Sequence, residues 1–359
     1  MKILITGASG FIGSFIVEEA LRREMDVWAV VRRSSSKEYL KDSRIHFIEL
    51  DFSDEGKLRE QLSAHRFDYV VHSAGVTKCL KSSDFYRVNT EGTKHLVNAL
   101  IATGQPLQRF VFLSSLSIYG PVREKQPYQE IREQDTPCPN TAYGKSKLAA
   151  ERFLDSLNAA CGGHAATPCK TSDNAEKACE EAASTTSAFP YVVLRPTGVY
   201  GPREKDYFMM AQSIKNHTDF SVGYKPQDLT FVYVSDVVQA VFLALERGKT
   251  GRKYFLSDGN VYSSRTFSDL LCRELGHPWV LRIKAPLWFL RAVTCLGEAI
   301  GHLRGKVTAL NNDKFHIMRQ RNWRCDITPA REELGYHPQV DLEEGVRRSV
   351  RWYREQGWL

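Results

Sequence analysis

Gly7, Gly10 and Gly13 of "KILITGASGFIG" stand directly between a short apolar run and a stretch rich in helix formers. Glycine lets a chain reverse sharply after a strand, and this loop demands a tight strand–turn–helix at the very start. The pattern then repeats. "VWAVV", "IHFIEL", "YVVHSA", "RFVFLSS" and "PYVVLRP" are near-continuous apolar runs, separated by segments of helical period such as "DEGKLREQLSAH" and "TEGTKHLVNALIATG". Strands without polar alternation, set between helices, belong to a parallel sheet covered on both faces. The expected fold is α/β, a doubly wound parallel sheet of the Rossmann type, with ligand beyond the carboxyl ends of the strands.

Residues 1–200 are expected to form this domain, with 229–248 ("TFVYVSDVVQAVFLALERG" in part) returning to it. Residues 201–228 and 249–359, where the alternation loosens, are expected to make a smaller substrate-binding domain. The segment 158–188, rich in Ala, Ser, Thr and Gly, is longer than a helix–strand connection needs and reads as an inserted surface loop. Cys161, His164, Cys169 and Cys179 fall there, but their spacing fits no zinc pattern, so no metal is expected.

With 359 residues, 42% hydrophobic and 25% charged, the chain has the composition of an ordinary globular protein. Its formal charge of +7 is dispersed, with no basic block, which argues against nucleic acid. The opening strand follows the first methionine at once, without a signal-peptide core, and the apolar stretch from Ala285 to Leu303 is broken by Arg291, Glu298 and His302. The eight cysteines are scattered, as suits reduced thiols. A cytoplasmic protein without a spanning helix is expected.

The glycine loop brings backbone N–H groups at a helix N-terminus close to a ligand, an arrangement suited to a pyrophosphate. At the end of the second strand "VWAVVRRSSS" offers Arg32 and Arg33 and no acid; guanidinium groups suit the 2′-phosphate of NADP, where a carboxylate would suit NAD. Asp51, after "IHFIEL", is placed to accept from an adenine amino group. Tyr143 and Lys147 of "NTAYGKSKLAAE" lie four residues apart at the start of a helix, and therefore on one face.

Eight segments in order, "TGASGFIG", "LDFSD", "VVHSAG", "NTEGT", "LSSLSIYGP", "AYGKSK", "LRPTGVYGPR" and "FVYVSDV", resemble the extended short-chain dehydrogenase/reductase family, also called the NAD-dependent epimerase/dehydratase family. The resemblance covers nearly the whole chain apart from 158–188. It implies a catalytic set of Ser115, Tyr143 and Lys147 and a dinucleotide, NADP or NAD. The implied cofactor contacts run from Gly7, Gly10, Phe11, Ile12 and Gly13 through Arg32, Arg33, Asp51 and Phe52. They continue to Ala74, Gly75, Tyr143, Lys147, Pro196 and Thr197. Thr77, Ser117, Arg203 and Tyr207 are expected to face the substrate, and Asn89 to order the helix and strands beneath. A tyrosine of ordinary pKa near 10 needs about 4 kcal/mol of differential stabilisation to ionise at neutral pH. Lys147, one turn away, is expected to supply part of it.

Leu116 and Ser117 stand where sugar-nucleotide 4,6-dehydratases of the family carry an Asp-Glu pair, which argues against dehydration. The aromatic-rich "PWVLRIKAPLWFLRAVTCLGEAIGHLRG" resembles members related to dihydroflavonol reductases and 3β-hydroxysteroid dehydrogenases. Trp279, Trp288 and Phe289 then form either a lid or plain core, and such a lid can touch a membrane surface peripherally. The expected activity is interconversion of a hydroxyl and a carbonyl on a hydrophobic substrate. The alternatives are a nucleotide-sugar 4-epimerase with tightly held NAD, and a non-catalytic dinucleotide sensor. A homodimer is expected.

Overall fold

Strand residues of the first half are buried on alternating sides. Ile3 and Ile5 pack into one core and Leu4 into another; Val111 and Leu113 oppose Phe110 and Phe112 in the same way. A parallel sheet with helices on both faces is the structure that satisfies this pattern. A computed structural model describes residues 1–159, 188–276, 279–304 and 312–359, with side chains omitted over 298–304. The expected insert, 158–188, and its Cys and His residues fall almost wholly outside the described residues.

Seven parallel strands form the central sheet. In chain order they are β1 (Lys2–Thr6), β2 (Asp26–Val30), β3 (His46–Ile48), β4 (Tyr69–His72), β5 (Arg109–Leu113), β6 (Tyr191–Pro196) and a late strand, Lys253–Leu256. Counting the short strands β7 (Gly198–Tyr200), β8 (Thr218–Val222), β9 (Asp228–Leu229) and β10 (Phe231–Tyr233), the late strand is β11. The order across the sheet is β11-β6-β5-β4-β1-β2-β3, so the direction of winding reverses between β1 and β4. The glycine loop leaves β1 at that crevice, where ligands of open α/β sheets bind.

Helix α1 (Phe11–Arg22) packs on one face, and α2 (Glu55–Ser63), α4 (Gly92–Ala102) and α5 (Ala142–Ala159) on the other. A short α3 (Ser82–Phe85) runs through a π-helical turn, Tyr86–Glu91, into α4. The second domain holds α6 (Lys205–Lys215), α8 (Thr266–Leu275) and α11 (Leu342–Glu355), which close a separate aromatic core with Tyr200, Phe231 and Tyr233. Between them α7 (Val234–Arg247) packs back against α1 and strands β5 and β6. Strand β12 (Tyr262–Ser263) pairs with β9, and β13 (Leu281–Ala285) lies parallel to β8. α9 (Leu287–Arg304) and α10 (Asn312–Arg319) complete the lid.

Two expectations need correction. Residues 249 onward are not all outside the sheet: Lys253–Leu256 pair in parallel with Val193–Pro196, because the outer edge of β6 needs a partner. The strand before α7 pairs with β7, not with the main sheet, so only the helix returns. Trp279 and Trp288 are 66% and 73% exposed, so they are not core. No helix among the described residues is long and apolar enough to cross a membrane.

Candidate active site

At the β1–α1 turn, Gly7 has φ +70° and a Cβ there would stand 2.7 Å from the Ala74 nitrogen. A Cβ on Gly13 would stand 2.1 Å from the Gly7 carbonyl oxygen. Only glycine fits either place, and the loop thereby lies close against the backbone at Ala74. Gly10 begins α1 with no side chain capping it, which leaves the first-turn N–H groups of Phe11, Ile12 and Gly13 aimed past the loop. Backbone donors without a capping side chain, beside a glycine cradle, fit a dinucleotide pyrophosphate.

The exposed guanidinium of Arg32 follows β2, and Arg33 pairs with Glu49 at 3.1 Å, both well exposed. The Asp51 carboxylate is engaged by the Ser53 hydroxyl and by Lys57 at 3.3 Å, contacts that hold it below the usual carboxylate range. Phe52 packs partly buried on the core.

Helix α5 carries the expected Tyr143 and Lys147 one turn apart, and Ser115 comes from the end of β5. The Tyr143 phenol lies close enough to Ser115 to feel its hydroxyl. Ser115 Oγ accepts from the Ser117 N–H and lies 3.1 Å from its Oγ, so it caps a turn and faces the site at once. Lys147 is 4% exposed; its Nζ donates to the Leu113 carbonyl at 2.8 Å and lies over the Phe112 ring. Gly75 makes room for it, since a Cβ there would stand 3.3 Å from Nζ. Asn89, fully buried, accepts from the Val76 N–H and donates to the Val76 carbonyl and Ser146 Oγ, tying the loop after β4 to α5.

Burial pushes the Tyr143 phenol up to about 12, and the Ser115 hydroxyl only partly offsets it. The expected lowering is therefore not a property of the protein's own groups. Burial pulls Lys147 down to about 8. The phenol is protonated at neutral pH, ready to give a proton rather than take one.

A cavity of about 320 Å³ opens at Ser115 and is also lined by Ser117, Pro196, Thr197 and Tyr207. Two expected substrate residues do not reach it. Thr77 is exposed on the loop after β4. Arg203, with φ +72°, turns toward α1, donates to Ser14 Oγ at 2.9 Å and to Glu18, and lies against the rings of Phe15 and Tyr39. Its cation is spent on holding that turn.

Asp313 of α10 is a residue that the sequence did not point to. Its carboxylate accepts from the N–H groups of Ala142 and Tyr143 at 3.0 and 3.1 Å, while Thr141 Oγ1 accepts from Gly144. The lid thus caps the helix that carries the tyrosine. Nearby, Asp206 of α6 pairs with Lys78 and with Lys314, tying the same lid to the loop after β4. Asp313→Ala is expected to cost about 1–2 kcal/mol of stability, as loss of an N-cap does. Turnover should fall about tenfold with cofactor affinity within twofold, and Asp313→Asn should restore most of it. Thermal unfolding and saturation kinetics of the two variants check this; unchanged turnover in Asp313→Ala would separate the lid from the tyrosine.

Comparison with known proteins agrees with this arrangement. The chain is 23% identical over 383 residues to a probable dTDP-glucose 4,6-dehydratase of Sinorhizobium fredii, covering 100% of this chain and 94% of that protein. It is 21% identical over 378 residues to a decarboxylating sterol-4-alpha-carboxylate 3-dehydrogenase of Candida albicans, covering 99% and 98%. Among solved structures, the UDP-glucose 4-epimerase of Thermotoga maritima, with UDP-glucose, superposes with a TM-score of 0.72 at 23% identity over 99% of both chains. The dTDP-glucose 4,6-dehydratase DesIV of Streptomyces venezuelae, with NAD bound, gives 0.74 at 22% identity over 100% and 98%. These structural likenesses establish the fold. The model of the NAD dependent epimerase/dehydratase family matches residues 3–257, from β1 to just past the end of β11. With the glycine cradle, the late seventh strand and the tyrosine–lysine helix all inside that span, the chain belongs to the NAD-dependent epimerase/dehydratase family.

Proposed function

We propose that the protein is an NADP-dependent oxidoreductase that interconverts a hydroxyl and a carbonyl on a hydrophobic substrate. The observation that carries this reading is the lining of the cavity at Ser115. Among the described residues none of the side chains lining it is charged, and its apolar surface, to which Met210, Phe220, Phe231, Ile317 and Trp323 belong, outweighs its polar surface. A nucleotide sugar brings a doubly charged pyrophosphate, which needs cations or a row of donors. A cavity of about 320 Å³ whose exposed wall is mainly apolar, with uncharged Ser, Thr, Gln and Tyr groups to orient a ligand, suits a neutral molecule that is largely hydrophobic.

A dinucleotide held at the glycine loop and at the residues after β4 and β6 would supply or take up hydride. The protein's own groups handle the rest. Ser115 Oγ hydrogen-bonds the substrate oxygen and fixes it beside the phenol. Tyr143, protonated at neutral pH, passes its proton to that oxygen as negative charge develops there. Lys147, held by the Leu113 carbonyl, places a positive charge behind the phenol and limits the cost of leaving it ionised. Pro196 and Thr197 line the cavity at the end of β6, where they would approach the cofactor. Arg32, exposed at the end of β2 with no carboxylate paired to it among the described residues, supports NADP over NAD.

The second reading, a nucleotide-sugar 4-epimerase, is favoured by two similar solved structures, a UDP-glucose 4-epimerase and a UDP-glucuronic acid 4-epimerase. Dehydration fits less well, since Leu116 is fully buried and Ser117 carries no titratable group. Absorbance of the reduced nicotinamide separates the readings. With hydrophobic ketones, stoichiometric oxidation is expected, faster with NADPH than with NADH. Conversion of a UDP- or dTDP-sugar with no net change in nicotinamide absorbance would replace this reading by the epimerase.

A further inference from the structure

The cavity at Ser115 adjoins a second one of about 410 Å³, and the two share Met210, Phe220, Ser221, Val222 and Met318 in their walls. The second chamber lies between α6, β8 and the lid helix α9, with Ile214, Phe289, Leu290 and Val293 facing in. Apart from Ser221, at the junction with the first cavity, its polar side chains are satisfied within the protein, Thr218 Oγ1 by the Asn216 carbonyl at 3.2 Å. Asp219, its one charged side chain among the described residues, is 5% exposed and paired with Arg265 at 2.6 Å, and Ser213 Oγ donates to the Thr218 carbonyl at 2.8 Å. Beyond that junction nothing among the described residues asks a ligand for a hydrogen bond or a charge. Met210 and Met318, at the junction, have unbranched side chains that adapt to a passing chain. Met209, Phe220 and Phe289 line the chamber and are 43%, 58% and 49% exposed, so its outer end has an apolar rim.

We infer that the second chamber is a subsite for an extended apolar tail, and that the substrate is bipartite: a compact head bearing the hydroxyl or carbonyl at Ser115 and Tyr143, and an aliphatic or alicyclic tail of several carbons under α9. This rests on the hydrophobic-substrate reading of the first chamber. Chain length should therefore govern affinity. Each methylene taken from water contributes about 0.8 kcal/mol, or roughly fourfold in affinity, until the second chamber is full.

The probes are two neutral fluorescent ketones with one head, 6-propionyl- and 6-dodecanoyl-2-(dimethylamino)naphthalene, titrated into the full chain and followed by the blue shift of emission. Both should bind, the dodecanoyl probe at least tenfold more tightly. Val293→Trp and, independently, Ala285→Phe fill the second chamber only. In each, the dodecanoyl advantage should disappear while propionyl affinity stays within about twofold. A dodecanoyl probe that binds no more tightly in the unaltered protein overturns the subsite, whether or not the variants fold. So does an advantage that survives both substitutions. If neither probe binds, the hydrophobic reading of the first chamber is what fails, and binding of UDP-glucose in the same titration would identify its replacement.

Discussion

Replacing Tyr143 by phenylalanine should lower turnover by about 10²–10⁴-fold, the range that a positioned acid or base contributes. The ring would keep its packing against Phe85, so the fold and the helix entry are retained. Cofactor affinity should stay within a few-fold, because the pyrophosphate cradle and Lys147 are untouched. The pH dependence supplies a second signature. Burial pulls Lys147 down to about 8, so it is charged below that pH and neutral above it. Turnover that depends on its charge should decline as pH rises through about 8. In Lys147→Arg, whose guanidinium stays charged, any residual activity should lose that decline. Kinetics of Tyr143→Phe near those of the unaltered protein would show that another group moves the proton.

The largest effect on stability is expected two turns further along the same helix face. Glu151 follows Lys147 by four residues, fully buried, and its carboxylate takes the Arg195 guanidinium at 2.6 and 3.2 Å. Ser114 Oγ donates to it as well, and Arg195 donates to the Tyr119 hydroxyl at 3.0 Å. A buried pair contributes little net stability as a pair, but removing one partner strands the other charge. Glu151→Ala should cost about 3–5 kcal/mol, measured as the loss in urea unfolding free energy. Glu151→Gln, which keeps an acceptor and the shape, should cost less. A loss under about 1 kcal/mol in Glu151→Ala would mean that water reaches Arg195 and solvates it.

Much of this site was legible before any coordinates, for local reasons. The glycine loop, the apolar runs and the four-residue step from Tyr143 to Lys147 depend on neighbours in sequence, and backbone geometry converts them directly into place. What was not legible depends on partners far along the chain. Asp313 caps a helix that begins 171 residues earlier, and no local pattern marks an acid for that task. Arg203 sits in a motif that reads as part of the site, yet a left-handed backbone turns its side chain onto α1. The run "KYFL" at 253–256 is too short, and too distant from the other strands, to announce itself as the seventh strand. The surroundings of the phenol were not legible either, because spacing reveals the nearby lysine but not the burial that pushes the phenol up.

That seventh strand has a consequence for how the protein is made. Hydrogen bonding along β6 is incomplete on one side until residues 253–256 are available. During synthesis, when N-terminal regions emerge first, the nascent sheet therefore carries an open edge through the whole time that residues 197–252 are being added. Such an edge is a template for pairing with other chains. The nascent protein is most exposed to misassembly in that interval, and a chain cut just before residue 253 would keep Ser115, Tyr143 and Lys147 and lose the cover on that edge.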